Sequence, residues 1–209
     1  MYRIYTTEGF VVASRPYGEA SATLVLFTEE LGLVRVRAQG VREVRSKLRY
    51  GVQQLSLSTF SLVRGREVWR LTSVSPCVQA STDHYTTDFR RQRGLTPFSS
   101  FAARALFARV LGLVQRLVHG EEQDRKLFFL LRDTFLFLHE EQLTAVELRQ
   151  LELLTVLRVL HHLGYVGSAG DGFAIQPEDK LTRFMLANIS GKEAFLLQTV
   201  NASLKATQL

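Results

Sequence analysis

Six basic side chains and one acidic one fall within the fifteen residues that run from Arg35 to Arg49: Arg35, Arg37, Arg42, Arg45, Lys47 and Arg49, with Glu43 among them. Cationic groups at that density suit a polyanion, and a phosphate backbone is the polyanion they fit best. Arg35 and Arg37 alternate with Val34, Val36 and Ala38, so in a strand the two guanidinium groups share the face opposite the apolar one. The remaining four follow Gly40 in a polar loop. Tyr50 closes the run with a ring that can stack on a base, worth roughly 1–3 kcal/mol without sequence preference. The competing reading is a charged sheet edge that keeps the protein from associating through its strands.

Other chemistry is sparse. No phosphate-binding Gly-Lys loop, nucleophile elbow or His-Glu-x-x-His spacing occurs. The glycines Gly164, Gly167, Gly170 and Gly172 follow a helical pattern and not a strand, which argues for a loop over a dinucleotide site. His161 and His162 are adjacent, so on a helix they diverge. The acidic pairs Glu29-Glu30, Glu121-Glu122 and Glu140-Glu141 sit at element ends, where they read as solvated charges. Cys77 is the only cysteine of the chain, which excludes an intramolecular disulfide and any four-cysteine zinc site. An enzyme, for instance a nuclease, would need a metal held by clustered carboxylates; no cofactor or metal is expected, and catalytic residues are not assigned.

The elements that must position the cations change character along the chain. Up to about residue 75 short apolar runs alternate or break at Gly, Pro and charge, the pattern of strands. Five are expected: Ile4–Ala13, a turn at Arg15 to Gly18, Ala22–Thr28, Leu33–Ala38, Gln53–Val63 with a bulge near Ser58-Thr59, and Val68–Ser73. Five strands with no long helix between them fit an all-β barrel of the oligonucleotide/oligosaccharide-binding (OB) type, with an SH3-like barrel as the rival. Trp69 is expected in its core.

Beyond residue 83 the period becomes helical. Phe98–His119 carries Phe101, Ala105, Ala108, Leu111 and Gln115 along one stripe, with Leu106, Val110, Leu113 and Leu117 beside it. A second helix is expected over Glu122–His139. A third opens at the capping box Thr144 to Glu147 and stops at Gly164. After a glycine-rich loop, Pro177 suits the start of a helix over Glu178–Ile189, and Lys192–Lys205 makes the last. The expected organisation is an OB barrel over residues 1–78 and an all-α helical domain over 79–209.

Bulk properties agree with that division. Residues 1–80 contain 11 Lys+Arg against 6 Asp+Glu and residues 81–209 contain 15 against 14, so most of the +6 formal charge belongs to the front. With 46% hydrophobic residues the chain can bury a sizeable core. The greasiest stretch, Leu127 to Leu138, is interrupted by Arg132-Asp133 and is too short to span a bilayer. A cytoplasmic protein without membrane contact is expected.

Ser14-Arg-Pro-Tyr-Gly-Glu-Ala-Ser21, Phe27-Thr-Glu-Glu-Leu-Gly-Leu-Val-Arg35, Ala38-Gln-Gly-Val-Arg42 and Ser46-Lys-Leu-Arg-Tyr-Gly51 together resemble, in order and spacing, the RecO family of bacterial recombination mediators. Leu151-Glu-Leu-Leu154 through Leu163-Gly-Tyr165 resembles that family's helix ending in Leu-Gly-Tyr, and Leu204 to Leu209 resembles its tail. The resemblance implies an OB barrel joined to a helical domain, single-stranded and in some settings double-stranded DNA binding, strand annealing, assistance to RecA loading in recombinational repair, and RecR and single-strand-binding protein as partners. It also implies that the DNA-binding role falls on Arg35, Arg37, Arg42, Arg45, Lys47 and Arg49, beside which Tyr50 is expected as a stacking ring, and a nucleoid-associated protein is expected. Relatives with a zinc module carry four cysteines after Leu-Gly-Tyr, and residues 165–180 contain none, so this is expected to be a form without zinc. The alternative is an OB-fold protein that binds RNA or the ribosome and has no repair role.

Overall fold

The computed structural model describes residues 3–76, 98, 100–166 and 180–206. The chain divides into two compact units, one of Met1–Phe98 with Gln115–Asp124 and one of Ser99–Val114 with Arg125–Leu209.

The first unit is built on five strands: β1 (Ile4–Tyr17), β2 (Ser21–Thr28), β3 (Gly32–Ala38), β4 (Leu57–Arg64) and β5 (Trp69–Pro76). They close into a barrel in the order β1-β2-β3-β5-β4, with β1 returning to β4. Closure depends on β1, whose first half, from Ile4 to Phe10, pairs with β4 while Gly9 to Tyr17 pairs with β2. An irregularity between Val11 and Ala13 bends the strand between these two duties. The parallel contact of β3 with β5, Val36 opposite Trp69 and Arg37 opposite Arg70, completes the OB arrangement and removes the SH3-like rival. The interior is filled by Leu24, Leu26, Val34, Val36, Phe60, Leu62 and Trp69, all buried. Apolar side chains taken from water at about 25 cal/mol per Å² supply the main stabilisation.

Three strand expectations are corrected. β1 runs on through Arg15, Pro16 and Tyr17, where a turn was expected. Pro16 is tolerated because beyond Phe10 the strand pairs with β2 alone, leaving the proline's missing N–H on an open edge. β4 starts at Leu57 and not at Gln53. The preceding residues instead wrap the β1 bend, with Leu55 N–H donating to the Val11 carbonyl at 2.8 Å and Gln54 Nε2 to the Val12 carbonyl at 3.1 Å. The shift near Ser58-Thr59 lies later, between Ser61 and Leu62, where β5 carries the additional residue Thr72.

The second unit is helical. Helix α1 (Phe101–Leu117) begins there and ends in the first unit, and α2 (Arg125–Glu140), α3 (Ala145–His162), α4 (Arg183–Ile189) and α5 (Glu193–Ala206) follow. The buried stripe of α1 is Ala103, Leu106, Phe107, Val110, Leu111, Val114 and Leu117. The expected stripe was turned: Phe101 is 86% exposed and Gln115 is exposed, while Phe107 and Val114 face inward. The capping box at α3 is present, with the Glu147 carboxylate accepting from Thr144 N–H at 2.7 Å and the Glu147 N–H donating to Thr144 Oγ1 at 3.3 Å. The Thr144 N–H, and after it the Thr144 hydroxyl that also donates to the carboxylate at 2.8 Å, hold the Glu147 carboxyl below its ordinary range. Helix α4 starts at Arg183 behind a Thr182 cap, later than expected. Cys77, the glycine run from Gly167, Pro177 and the tail from Thr207 lie outside the described residues. Among the described residues no helix is long and apolar enough to cross a membrane.

Candidate nucleic-acid interface

Alternation in β3 does what the residue order requires: Val34, Val36 and Ala38 are buried, Arg35 is exposed and Arg37 half-buried on the outer face. Cross-strand register then shows which other side chains share that face. Arg37 pairs with Thr23 of β2, Thr23 with Arg15 of β1, and Arg37 with Arg70 of β5. Arg15 and Arg70 are exposed, and the residues flanking Arg70, Trp69 and Leu71, point inward. One row across four strands therefore reads Arg15, Thr23, Arg37, Arg70. Arg35 stands in the next row, opposite Val25.

Tyr17 belongs to the same face and is 48% exposed. The Arg37 guanidinium carbon lies 3.9 Å from the centre of its ring, and Arg37 Nε is buried with no hydrogen-bond partner among the described residues. A guanidinium flat against an aromatic ring keeps its other N–H groups for an incoming oxygen. Arg42 adjoins this pair, its Nη1 donating to the Gly18 carbonyl at 2.9 Å and its backbone N–H to the Ala20 carbonyl at 2.9 Å. Arg42 is thus partly committed to holding the β1–β2 turn.

The connection from Gly40 to Ser56 is ordered. Gly40 takes φ +63, a left-handed conformation that lets the chain leave β3 abruptly. Successive tight bonds follow, Glu43 N–H to Gly40 C=O, Ser46 N–H to Glu43 C=O and Arg49 N–H to Ser46 C=O, and lead into a 3-10 turn over Lys47–Tyr50. Val41 and Val52 join the barrel core, with Leu48 packed against it. That anchoring leaves Arg45, Lys47, Arg49 and the 71% exposed Tyr50 on the surface. Among the described residues none of Arg35, Arg45, Lys47 and Arg49 meets a carboxylate within ion-pair distance. The structure brings Arg35, Arg37, Tyr17 and Arg42 together and sets Arg45, Lys47, Arg49 and Tyr50 on the adjoining loop.

Sequence reasoning missed Arg15, Tyr17 and Arg70. Arg70 was recoverable, since it alternates with apolar neighbours in β5, whereas Arg15 and Tyr17 were hidden by the turn assigned to them. It also misjudged Glu121, which is no solvated terminus: its Oε1 accepts from Trp69 Nε1 at 3.0 Å and its Oε2 lies 3.3 Å from Arg64 Nη1. Glu141 likewise pairs with Arg183 at 2.7 Å. Trp69 is 3% exposed, in the core as expected, and Phe60 is fully buried.

A closed five-stranded OB barrel with a cationic outer face, followed by a set of helices, defines the class of this protein. Residues 1–79 match the family described as Recombination protein O N terminal. The chain is 32% identical over 152 residues to the DNA repair protein RecO of Alkaliphilus metalliredigens, covering 73% of this chain and 53% of that one. It is 30% identical over 171 residues to RecO of Pelotomaculum thermopropionicum, covering 80% and 61%. With RecO of Heliobacterium modesticaldum the identity is 39% over 74 residues, 35% of this chain and 27% of the relative. The chain belongs to the RecO family, and it spans little more than half the length of the first two of these relatives.

Proposed function

We propose that this protein binds single-stranded DNA on the outer face of its barrel and acts in recombinational DNA repair as a mediator that anneals strands and assists RecA loading. The observation that carries the reading is the row Arg15, Arg37, Arg70 with Arg35 beside it and Tyr17 beneath Arg37, continued by Arg45, Lys47, Arg49 and Tyr50. Family membership supplies the repair context. Annealing asks for no catalytic residue: two strands held on one cationic surface repel each other less and meet at higher effective concentration, and base pairing provides the free energy. RecR and single-strand-binding protein are the protein partners this reading entails. Duplex binding is secondary in it, because stacking on Tyr17 or Tyr50 needs unpaired bases.

The test is annealing of complementary strands, bare and coated with single-strand-binding protein, across a salt series. If about five phosphates are neutralised, log affinity for a single strand falls with log salt at a slope of about −3.5, from roughly −0.7 per contact. A salt-insensitive affinity, or tighter binding to RNA of the same sequence, would refute the proposal, the second result in favour of a 2′-hydroxyl reader.

A further inference from the structure

The end of the barrel at the β4–β5 hairpin carries a second group of donors. Arg64 pairs with Trp69 across the hairpin, so both side chains point to the same side. The Arg64 guanidinium carbon lies 5.4 Å from the centre of the Trp69 ring, and Tyr5 meets that ring edge-on at 5.2 Å. One carboxylate occupies the donors: Glu121 takes the indole N–H on one oxygen and the Arg64 guanidinium on the other. A phosphate diester likewise offers two non-bridging oxygens as acceptors for such a pair of donors.

The segment bearing Glu121 is itself acidic, with Glu122 and Asp124 close behind. It is strapped to the barrel at two further points. The Glu122 carbonyl packs on Gly32, where any Cβ would collide with it, and Gly32 has φ +62. Gln123 Nε2 donates to Glu30 Oε2 at 3.2 Å. The turn that receives them is fixed by Thr28 and Thr7, which accept from the Leu31 and Glu30 N–H groups at 3.1 Å each.

We infer that Arg64 and Trp69 form a second phosphate seat, which Glu121 fills until a nucleic-acid strand displaces it. The inference rests on the proposed DNA-binding role of the outer face. Three features favour exchange. The Arg64 and Glu121 side chains are 67% and 42% exposed, so their ion pair is weak and screened. Arg70 adjoins Trp69 and pairs with Arg37, so the cationic row of the outer face reaches the strand end at which the hairpin lies, the Trp69 side chain itself pointing to the opposite, inner side. Arg66 adds a further exposed cation at the hairpin itself. A polyanion gains by releasing counterions at each new contact, which a tethered carboxylate does not.

Trp69 is the only tryptophan of the chain, and its N–H is the donor in question, so intrinsic emission reports the seat directly. The full chain is titrated with a dye-labelled oligo(dT) strand while dye anisotropy and Trp69 emission are followed together, against a chloride series as baseline. The expected result is one isotherm for both signals. Glu121→Gln should tighten binding by roughly three- to tenfold and steepen the salt slope by about 0.7, one added phosphate contact. Arg64→Ala placed in the Glu121→Gln background should return both values to those of the unmodified chain. Binding with a silent Trp69 overturns the seat alone and needs no variant to fold. A folded Glu121→Gln protein that binds no tighter also overturns it, and absence of any anisotropy change overturns both the seat and the DNA-binding reading.

Discussion

Two arginines of the helical unit and three of the barrel meet opposite fates. In the helical unit Arg109 donates to both carboxylate oxygens of Glu152, at 2.5 and 2.7 Å, and Arg183 reaches Glu141 at 2.7 Å and Glu147 at 3.7 Å. On the outer face of the barrel Arg37 rests on an aromatic ring, Arg42 holds a backbone carbonyl, and Arg35 meets no carboxylate among the described residues. The first arrangement cancels charge locally and the second leaves it available. The formal charge of +6 therefore does not by itself say where a cation stands open. The latch at Glu121 is the intermediate case, a barrel arginine paired in the manner of the helical unit.

Substitutions can break this contrast at graded cost. Replacing Arg35 and Arg37 together by Ala should weaken oligo(dT) binding roughly a hundredfold, about tenfold for each arginine, and flatten the salt slope by about 1.4, two contacts' worth. Fluorescence anisotropy at several salt concentrations reads both numbers, and unchanged affinity would mean the face is only a solubilising surface. Tyr17→Ala should cost about tenfold, near the lower end of the roughly 1–3 kcal/mol range for a stacked base, while Tyr17→Phe should retain most of the affinity because the ring still supports Arg37.

Arg42→Ala should lower affinity and stability together, the latter by about 1 kcal/mol for the bond to Gly18. Urea unfolding beside the binding assay separates it from Arg35, whose loss should leave the midpoint in place.

The helical unit should respond in stability and not in binding. Thr144→Ala removes the α3 cap and should cost about 1 kcal/mol with an unchanged dissociation constant. Because the Glu147 carboxyl is held below its ordinary value of 4.5 in the folded protein, its stabilising contribution is complete above that value and disappears as the pH falls through the lower folded one. Acid unfolding of Thr144→Ala should show a smaller loss of stability over that interval than the unmodified chain. The smallest effect is expected from Arg109→Ala: its guanidinium pKa is raised, chiefly by the hydrogen bonds to Glu152, but the pair is exposed and worth well under about 1 kcal/mol.

Much of this was legible in the residues because it depends on local period. The alternation of Val34, Arg35, Val36, Arg37 and Ala38 fixes which side faces out as soon as a strand forms. Thr144 and Glu147 make their cap within four residues. Failures occurred where a distant element decided the matter. Arg15, Pro16 and Tyr17 read as part of a turn on local grounds, yet β2 extends far enough to pair Tyr17 with Ser21 and keep the chain extended, so that the turn begins only at Gly18. In α1 two apolar stripes lie side by side, and the packing of the helical unit selects the one containing Phe107.

The amino-acid order by itself determined that this protein carries an excess of cations on a β module, and that Arg35 and Arg37 point away from the core, since both follow from composition and strand period. Only the tertiary structure decided which cations stand open. Trp69 and Glu121 are 52 residues apart in sequence and are joined by a hydrogen bond of 3.0 Å, and Arg15 reaches the row of Arg37 through the register of two strand pairs. Net charge adds along a chain without regard to position, whereas neutralisation depends on separation in space, and chain closure sets that separation.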